Sequence, residues 1–326
     1  MSDRLLEIFN SSGEYVSGQE IADKLGISRN AVWKAVQRAR KEGYEIEAVP
    51  RCGYRLINSR EAFGENSIRN ALKTKWLGKE LVFLEEVDST NEECKRRSQK
   101  GAGEGLVVIA DSQSAGKGRR GRSWTSDRGT TISMSYLLKP AFSPDIAPML
   151  TLIMAMAAAE GIGRVTGADV GIKWPNDIVI GGKKAVGILT EMVAEPDYIH
   201  EVIIGTGINV TVEEFPEAIR NTATSLYLET GKVFSRALIA GEITNSFEIY
   251  YEKFSREGNL SRLTNAYNAL CVNVGKRVRV LDPKGEYEAE AAGINEKGEL
   301  MVETDDGELN NIYSGEVSVR GIYGYI

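Results

Sequence analysis

Residues 114–138 read S-A-G-K-G-R-R-G-R-S-W-T-S-D-R-G-T-T-I-S-M-S-Y-L-L, and the fold turns on the residues that come after the three glycines. Gly116, Gly118 and Gly121 fit G-x-G-x-x-G, the spacing of a dinucleotide-binding turn. That turn needs a helix opening at the loop and an acidic residue about twenty positions on, to hold a ribose hydroxyl. Here S-W-T-S-D-R-G-T-T is turn-like and runs into a β-branched strand, and residues 138–142, L-K-P-A-F, contain no acid. No G-x-x-x-x-G-K-[ST] occurs either, so the phosphate loop of nucleotide triphosphatases is excluded. The loop still suits anions. Glycine N–H groups converge into a nest, and Lys117, Arg119, Arg120 and Arg122 add charge-assisted bonds. Ordering of such a loop on ligand binding is expected, because glycine is costly to fix and like charges repel.

The flanking segments agree with this exclusion. Stretches 105–110, 130–138, 172–180, 185–193 and 200–210 read as strands, and helices are expected over 89–100, 147–165 and 235–256. Glycine turns join many of the strands and no regular βαβ alternation appears, so the class is α+β on a mixed or antiparallel sheet. After residue 272, four turns in about fifty residues (D-P-K-G, N-E-K-G, D-D-G and S-G) predict a small β-barrel. The longest apolar stretch, within Ala147–Ile162, reads as a buried helix too short to span a bilayer.

The N-terminus is a third kind of segment. Leu5, Leu6, Ile8 and Phe9 give a short helix, and Ser17-Gly18-Gln19-Glu20 opens a second. Gly26 breaks that helix, and Ser28 is placed to cap a third. On the third, Val32, Val36 and Ala39 share the inward face, opposite Asn30, Trp33, Lys34, Gln37 and Lys41. From Arg29 to Lys41, Arg38 included, five residues are basic and none acidic, although the chain carries a formal charge of −6. The hairpin-like Y-E-I-E-A-V, P-R-C-G and Y-R-L-I come next. A helix-turn-helix with a wing near Arg51 is the pattern of a DNA reader. The boundaries implied are 1–64, 65–272 and 273–326.

Composition narrows the chemistry. At 42% hydrophobic and 26% charged the chain is globular, and its start has no secretory signal. Cys52, Cys94 and Cys271 are odd in number and far apart, which suits a reducing cytoplasm better than a disulfide framework. His200 is the only histidine and reads as structural, so mechanisms without imidazole are favoured. Two more constellations carry polar groups. K-W-P-N-D (173–177) followed by G-G-K-K-A-V-G-I-L (181–189) crowds Lys173, Asn176, Asp177, Lys183 and Lys184 on neighbouring strands. Strict alternation puts Lys184 and Val186 on one face and Ala185, Gly187 and Leu189 on the other. Asp177 is a candidate Mg²⁺ ligand. In V-D-S-T-N-E-E (87–93), Asp88 or Ser89 is a helix cap whose neighbours could face a small polar ligand.

Taken together, G-K-G-R-R-G-R with Trp124, K-W-P-N-D, G-G-K-K-A-V-G-I-L and G-T-G-I-N resemble the bacterial bifunctional biotin protein ligases that also repress the biotin operon. The resemblance covers essentially the whole chain. It implies a winged helix-turn-helix, a central α/β ligase domain and an SH3-like barrel. It also implies ATP and Mg²⁺ as cofactors, biotin as substrate and, as biotinyl-5′-AMP, as corepressor. The implied partners are a biotin carboxyl carrier protein, operator DNA and a second copy of the chain, with no membrane. Ser89, Thr90, Asn91, Gln113, Lys117, Gly118, Arg119, Lys184 and Gly187 match biotin-binding positions. Arg119, Arg120, Arg122, Trp124, Lys173, Asn176, Asn209 and Arg320 match positions around ATP or the adenylate. Lys184 and Arg119 match the catalytic cations and Asp177 the metal position. Ser28, Arg29, Asn30, Trp33, Lys34, Gln37, Arg38, Lys41 and Arg51 would meet DNA. At Lys117 the family has an arginine; the charge survives here but bidentate recognition does not. Two other readings differ in what they predict. A lipoate-type ligase of related fold would activate lipoate, and a sensor with an inactive ligase domain would activate nothing.

Overall fold

Ser17 accepts a hydrogen bond from the Glu20 N–H at 3.1 Å and opens α1, Gly18–Leu25, which ends at Gly26 in the left-handed conformation (φ 68°). This is seen in a computed structural model that describes residues 4–5, 8–9, 12, 15–41, 45–50, 52–58, 63–282, 285–313, 318–321 and 325. Ser28 Oγ accepts from the Ala31 N–H at 3.2 Å as α2, Arg29–Lys41, begins. Val32, Val36 and Ala39 are buried with Leu5, Ile21 and Ile46, as the spacing of apolar residues predicts. Strands β1 (Glu45–Val49) and β2 (Gly53–Asn58) pair antiparallel as the hairpin of this unit. Two compact units divide the chain, Met1–Ser67 and Ile68–Ile326.

Helix α3 (Glu65–Ala71) runs across that boundary. It is followed by β3 (Leu81–Val87), α4 (Thr90–Gln99), β4 (Val107–Gln113) and β5 (Thr131–Leu138). Next come α5 (Met149–Thr166), β6 (Gly171–Lys173), β7 (Asp177–Ile180), β8 (Lys183–Glu195) and β9 (Tyr198–Asn209). Their seven strands form one sheet in the order β3-β4-β5-β9-β8-β7-β6. Only β3 and β4 run parallel; every other neighbouring pair is antiparallel. The sheet is therefore mixed, as the missing βαβ alternation requires. The stretch read as one strand over 172–180 is two, because Trp174–Asn176 turn the chain back between β6 and β7. Pro175, which has no N–H to give a ladder, sits in that turn after a cis peptide bond.

Helices α6 (Leu226–Thr230), α7 (Arg236–Glu257) and α8 (Thr264–Leu270) complete the middle of the chain. All of β5 is buried, so both faces of the sheet are covered. Side-chain alternation separates the coverings. Tyr136 Oη lies 2.9 Å from Thr244 Oγ1 of α7, whereas Ser135 Oγ, on the other face, lies 2.7 Å from Thr90 Oγ1 of α4. Helices α5 and α7 pack against each other so tightly at Gly161 that a Cβ there would stand 2.7 Å from the Ile243 nitrogen. The eighteen residues of α5 are long and apolar enough to cross a membrane by composition, which corrects the reading of this stretch as too short, yet most are buried in the packed unit. Burial of each Leu, Ile or Met side chain there contributes about 1.5–3 kcal/mol.

Strands β10 (Arg277–Asp282), β11 (Gly285–Ile294), β12 (Leu300–Glu303), β13 (Leu309–Ile312) and β14 (Ser318–Gly321) form the five-stranded antiparallel sheet β13-β12-β11-β10-β14. Val278, Val280, Ala289, Ala291, Leu300 and Val302 are buried in it at alternate positions along their strands. The fold is α+β, with a helix-turn-helix unit, a mixed central sheet and an antiparallel C-terminal sheet.

Candidate ligand-binding site

The site lies on the α4 face of the large sheet, and its floor is made of glycines. In register across the sheet, Ser133 pairs with Gly207, Gly207 with Gly187, and Gly187 with Asp177. In G-T-G-I-N, Gly205 and Gly207 are two apart and so share a face, which leaves that face without side chains. Trp124 lies on the bare floor: a Cβ on Gly207 would meet the indole at 2.4 Å, and one on Gly187 would meet it at 3.1 Å. A Cβ on Gly205 would meet Asn91 Oδ1 at 2.3 Å. Gly205 and Gly207 are wall residues that the reading of single charged positions missed, although their i, i+2 spacing in a strand was a usable signal.

Lys184 stands beside this floor, contrary to strict alternation. Ile178 pairs with Val186 and Val179 with Lys184, so Ala185 is the extra residue of a β-bulge. The bulge turns Lys184 to the same side as Gly187, and a Cβ there would lie 3.1 Å from Lys184 Nζ. The backbone groups released from the ladder are taken up elsewhere. Lys184 N–H donates to Thr222 O and Thr224 N–H to Lys184 O, each at 2.8 Å. Lys184 Nζ forms an ion pair with Asp177 Oδ1 at 2.5 Å, and Tyr325 Oη donates to Asp177 Oδ2. Tyr325 also stacks on Lys173, whose Nζ is 3.5 Å from the ring centroid and donates to the Tyr325 carbonyl. No sequence pattern pointed to Tyr325, since a contact between the last residues and position 177 is set by tertiary packing alone.

The glycine loop closes the opposite side. Gly118 N–H donates to Arg122 O at 2.7 Å and Trp124 N–H to Gly116 O at 2.8 Å, around a 3-10 turn at Arg119–Gly121. Arg120 holds φ 56°, the one non-glycine left-handed residue among those described, at a cost of about 1 kcal/mol. Arg119 is half-buried, and its Nη1 donates to Asn176 Oδ1 at 2.8 Å, which ties the loop to the turn between β6 and β7. Burial lowers the guanidinium pKa of Arg119, while the Asp177 charge acts in the opposite direction. Lys117 Nζ lies 2.6 Å from Glu92 Oε1. Lys117 and Arg119 line the pocket, while Arg120 and Arg122 are exposed.

Helix α4 supplies the remaining wall. Ser89 is the N-cap residue but makes no side-chain cap bond; Asp88 Oδ1 accepts from its N–H at 2.7 Å. Gln113 Oε1 takes the Thr90 N–H at 2.7 Å and the Thr90 hydroxyl at 3.1 Å. Asn91 donates to Glu191 at 2.6 Å and accepts from Ser135 at 2.6 Å, so its amide is engaged within the wall. Ser89, Thr90, Asn91, Gln113, Lys117, Gly118, Arg119, Trp124, Asn176, Lys184 and Gly187 line one pocket. Asn209, on the same strand face as Gly207, is buried and donates to Thr224 O at 3.0 Å. Lys173 stands behind, on Tyr325. Arg320 pairs with Arg279 through its backbone, and its side chain lies outside the described residues. Among the described residues no three His, Cys, Asp or Glu side chains cluster as a metal site. His200 is at the far end of the β8–β9 hairpin, 3.0 Å from Glu195. All three cysteines are free.

On α2, Arg29, Asn30, Lys34 and Arg38 are exposed after the exposed Ser28, Gln37 is half-buried, and Trp33 is 54% exposed despite its size. The Lys41 side chain and Arg51 lie outside the described residues.

A glycine-floored pocket with converging cations, in a chain that also carries a helix-turn-helix, defines a class: a ligand-activating enzyme joined to a DNA reader. Comparison with known proteins narrows it. The biotin/lipoate A/B protein ligase family matches residues 83–209, an HTH domain matches 2–55 and the biotin protein ligase C terminal domain matches 274–320. The bifunctional ligase/repressor BirA of Bacillus spizizenii is 41% identical over 97% of each chain, and that of Escherichia coli is 29% identical over 95% and 94%. Biotin protein ligase from Aquifex aeolicus, solved with biotin and ATP, superposes with a TM-score of 0.66 at 31% identity, covering 74% of this chain and 99% of that one. The chain belongs to the bifunctional biotin protein ligase/repressor family.

Proposed function

We infer that the chain is an ATP-dependent biotin protein ligase that forms biotinyl-5′-AMP and passes biotin to a lysine of a biotin carboxyl carrier domain. It represses biotin operon transcription as an adenylate-bound dimer. The observation that carries the reading is the bare glycine floor under Trp124, flanked by Lys184 and Arg119. Gly187 and Gly207 let the Trp124 indole lie against the sheet, and its buried Nε1, which has no hydrogen-bond partner, is a donor for the ligand.

In the first step the biotin carboxylate attacks the α-phosphorus of ATP and pyrophosphate leaves. Lys184 and Arg119 are the two cations placed to hold the charge that builds on the phosphorus oxygens, in a site from which the loop excludes water. Lys184 must leave Asp177 to do this, and the Tyr325 hydroxyl still satisfies that carboxylate when it does. In the second step a carrier lysine amine attacks the mixed anhydride carbonyl and AMP leaves. No covalent enzyme nucleophile is needed, which suits a site without histidine. Ser89, Thr90 and Gln113 face the biotin end. Arg120, Arg122, Lys173, Asn176, Asn209 and Arg320 belong to the nucleotide side. Asp177 is the carboxylate beside Lys184 and Arg119. One carboxylate fits a Mg²⁺ brought in by the nucleotide phosphates, since Mg²⁺ is held by one or two carboxylates plus substrate oxygens. The ion would supply neutralisation of phosphate charge.

Exchange of labelled pyrophosphate into ATP tests this reading. Exchange is expected with biotin and not with lipoate; lipoate-dependent exchange, or none at all, overturns it. The division into 1–64, 65–272 and 273–326 is part of the proposal. Removing residues 1–64 should abolish operator protection in a footprint while leaving biotin-dependent exchange. A truncated chain that still protects the operator would refute the assignment of Ser28, Arg29, Asn30, Trp33, Lys34, Gln37, Arg38, Lys41 and Arg51 to DNA.

A further inference from the structure

The charge at position 117 is paired with a carboxylate on α4. Lys117 Nζ sits 2.6 Å from Glu92 Oε1 on the first turn of α4. The same carboxylate oxygen receives Lys95 Nζ at 3.0 Å, and Lys95 reaches Glu191 Oε1 of β8 at 2.7 Å. Glu191 Oε2 takes the Asn91 amide at 2.6 Å, Asn91 Oδ1 takes Ser135 at 2.6 Å, and Ser135 Oγ is 2.7 Å from Thr90 Oγ1. Thr90 bonds Gln113, whose Nε2 lies 3.0 Å from where a Gly116 Cβ would stand, at the root of the loop. The chain of contacts leaves the glycine loop at Lys117 and returns to it at Gly116. Hydrogen bonding to Lys117 is the largest cause holding the Glu92 carboxyl below its ordinary range, so Glu92 is charged at neutral pH.

We propose that Glu92 is a positioning residue of the glycine loop, which it holds over the ligand by pairing with Lys117, and that the lysine at 117 serves loop closure in place of bidentate ligand recognition. This rests on reading the pocket as the biotinyl-adenylate site. The physical reason is one of geometry. A compact ammonium on a flexible stem can turn outward to a carboxylate on a neighbouring helix, whereas a planar guanidinium is suited to two oxygens of one ligand. Lys117 is 50% exposed, so the pair is weak; it shifts a loop equilibrium and leaves global stability unchanged.

The test uses the full chain without ligand and reads hydrogen–deuterium exchange of the amides in 115–125. Glu92→Gln and Lys117→Met should each raise that exchange about two- to five-fold, the range of an exposed ion pair. The double variant should match either single one, because both break the same pair. High salt should bring the wild type toward the variants. Lys95→Met, which leaves the Lys117–Glu92 pair intact, should leave loop exchange as in the wild type. Unchanged exchange in Glu92→Gln, additive effects in the double variant, or a rise spread along α4 with a fall in Tm overturns the proposal. A parallel chase measures release of preformed biotinyl-5′-AMP, expected to quicken in Glu92→Gln by the factor seen in exchange; an unaltered release rate overturns the role over the ligand. Coupled exchange in a chain that makes no adenylate would keep the pair as a loop latch and reject the functional reading instead.

Discussion

The loop at 114–124 and the hairpin at 171–189 both bring cations to one pocket, but by different physics. Lys184 is fixed by a bulged ladder, by backbone bonds to Thr222 and Thr224, and by the carboxylate of Asp177. The loop depends on three internal backbone bonds, one left-handed arginine and side-chain ties that include Arg119 to Asn176 and Lys117 to Glu92. A ladder is cooperative and survives the loss of one contact, whereas a loop closed by a few polar contacts loses much of its closure with each. The site therefore has one permanent wall and one conditional wall, as a ligand that must enter and then be sealed from water requires.

The largest effect should come from the permanent wall. Lys184→Ala is expected to lower biotin-dependent pyrophosphate exchange by about a hundred-fold or more, the scale of losing a charge-stabilising donor, with an unchanged Tm. Full activity in that variant would place the catalytic cation elsewhere. Next is the floor. Gly207→Val puts methyl groups where the Trp124 indole lies and should weaken adenylate binding about tenfold or more by overpacking, read by calorimetry. An unchanged affinity would show that Trp124 has no part in holding the ligand. The link between the two walls is third. Asn176→Ala removes the Arg119 tie and should cost about 1.5 kcal/mol of adenylate affinity, the low end for a bond to a charged group.

The smallest effect concerns the entrance to α4. The Arg96 guanidinium beside Asp88 holds its carboxyl at about 2, below the ordinary 3.8. With the folded value depressed, the contact contributes fully above pH 3.8 and is lost as pH falls through about 2. The Tm gap between wild type and Asp88→Asn should thus close between those values; a gap that persists at the acid end would exclude this ion pair as its source.

How much was legible depended on the range of each interaction. The helix-turn-helix was readable because Ser28, Gly26 and the Val32, Val36 and Ala39 spacing act within a few residues. The mixed sheet was readable from a negative, since S-W-T-S-D-R-G-T-T opens no helix after the loop. The face of Lys184 was not readable, because the Ala185 bulge depends on Thr222–Thr224, some forty positions away in the chain. The partner of Lys117 was hidden for the same reason, with Glu92 on α4 and 25 positions earlier.

The residues alone determined the class of fold, the absence of a dinucleotide turn and which side chains carry charge, since periodicity, capping and turn chemistry act locally. Only the tertiary structure decided where those charges point. It gave Lys184 to the glycine floor, Arg119 to Asn176, Lys117 to Glu92 and Tyr325 to Asp177. Direction in space depends on register, bulges and partners distant in sequence, and these exist only once the sheet has formed.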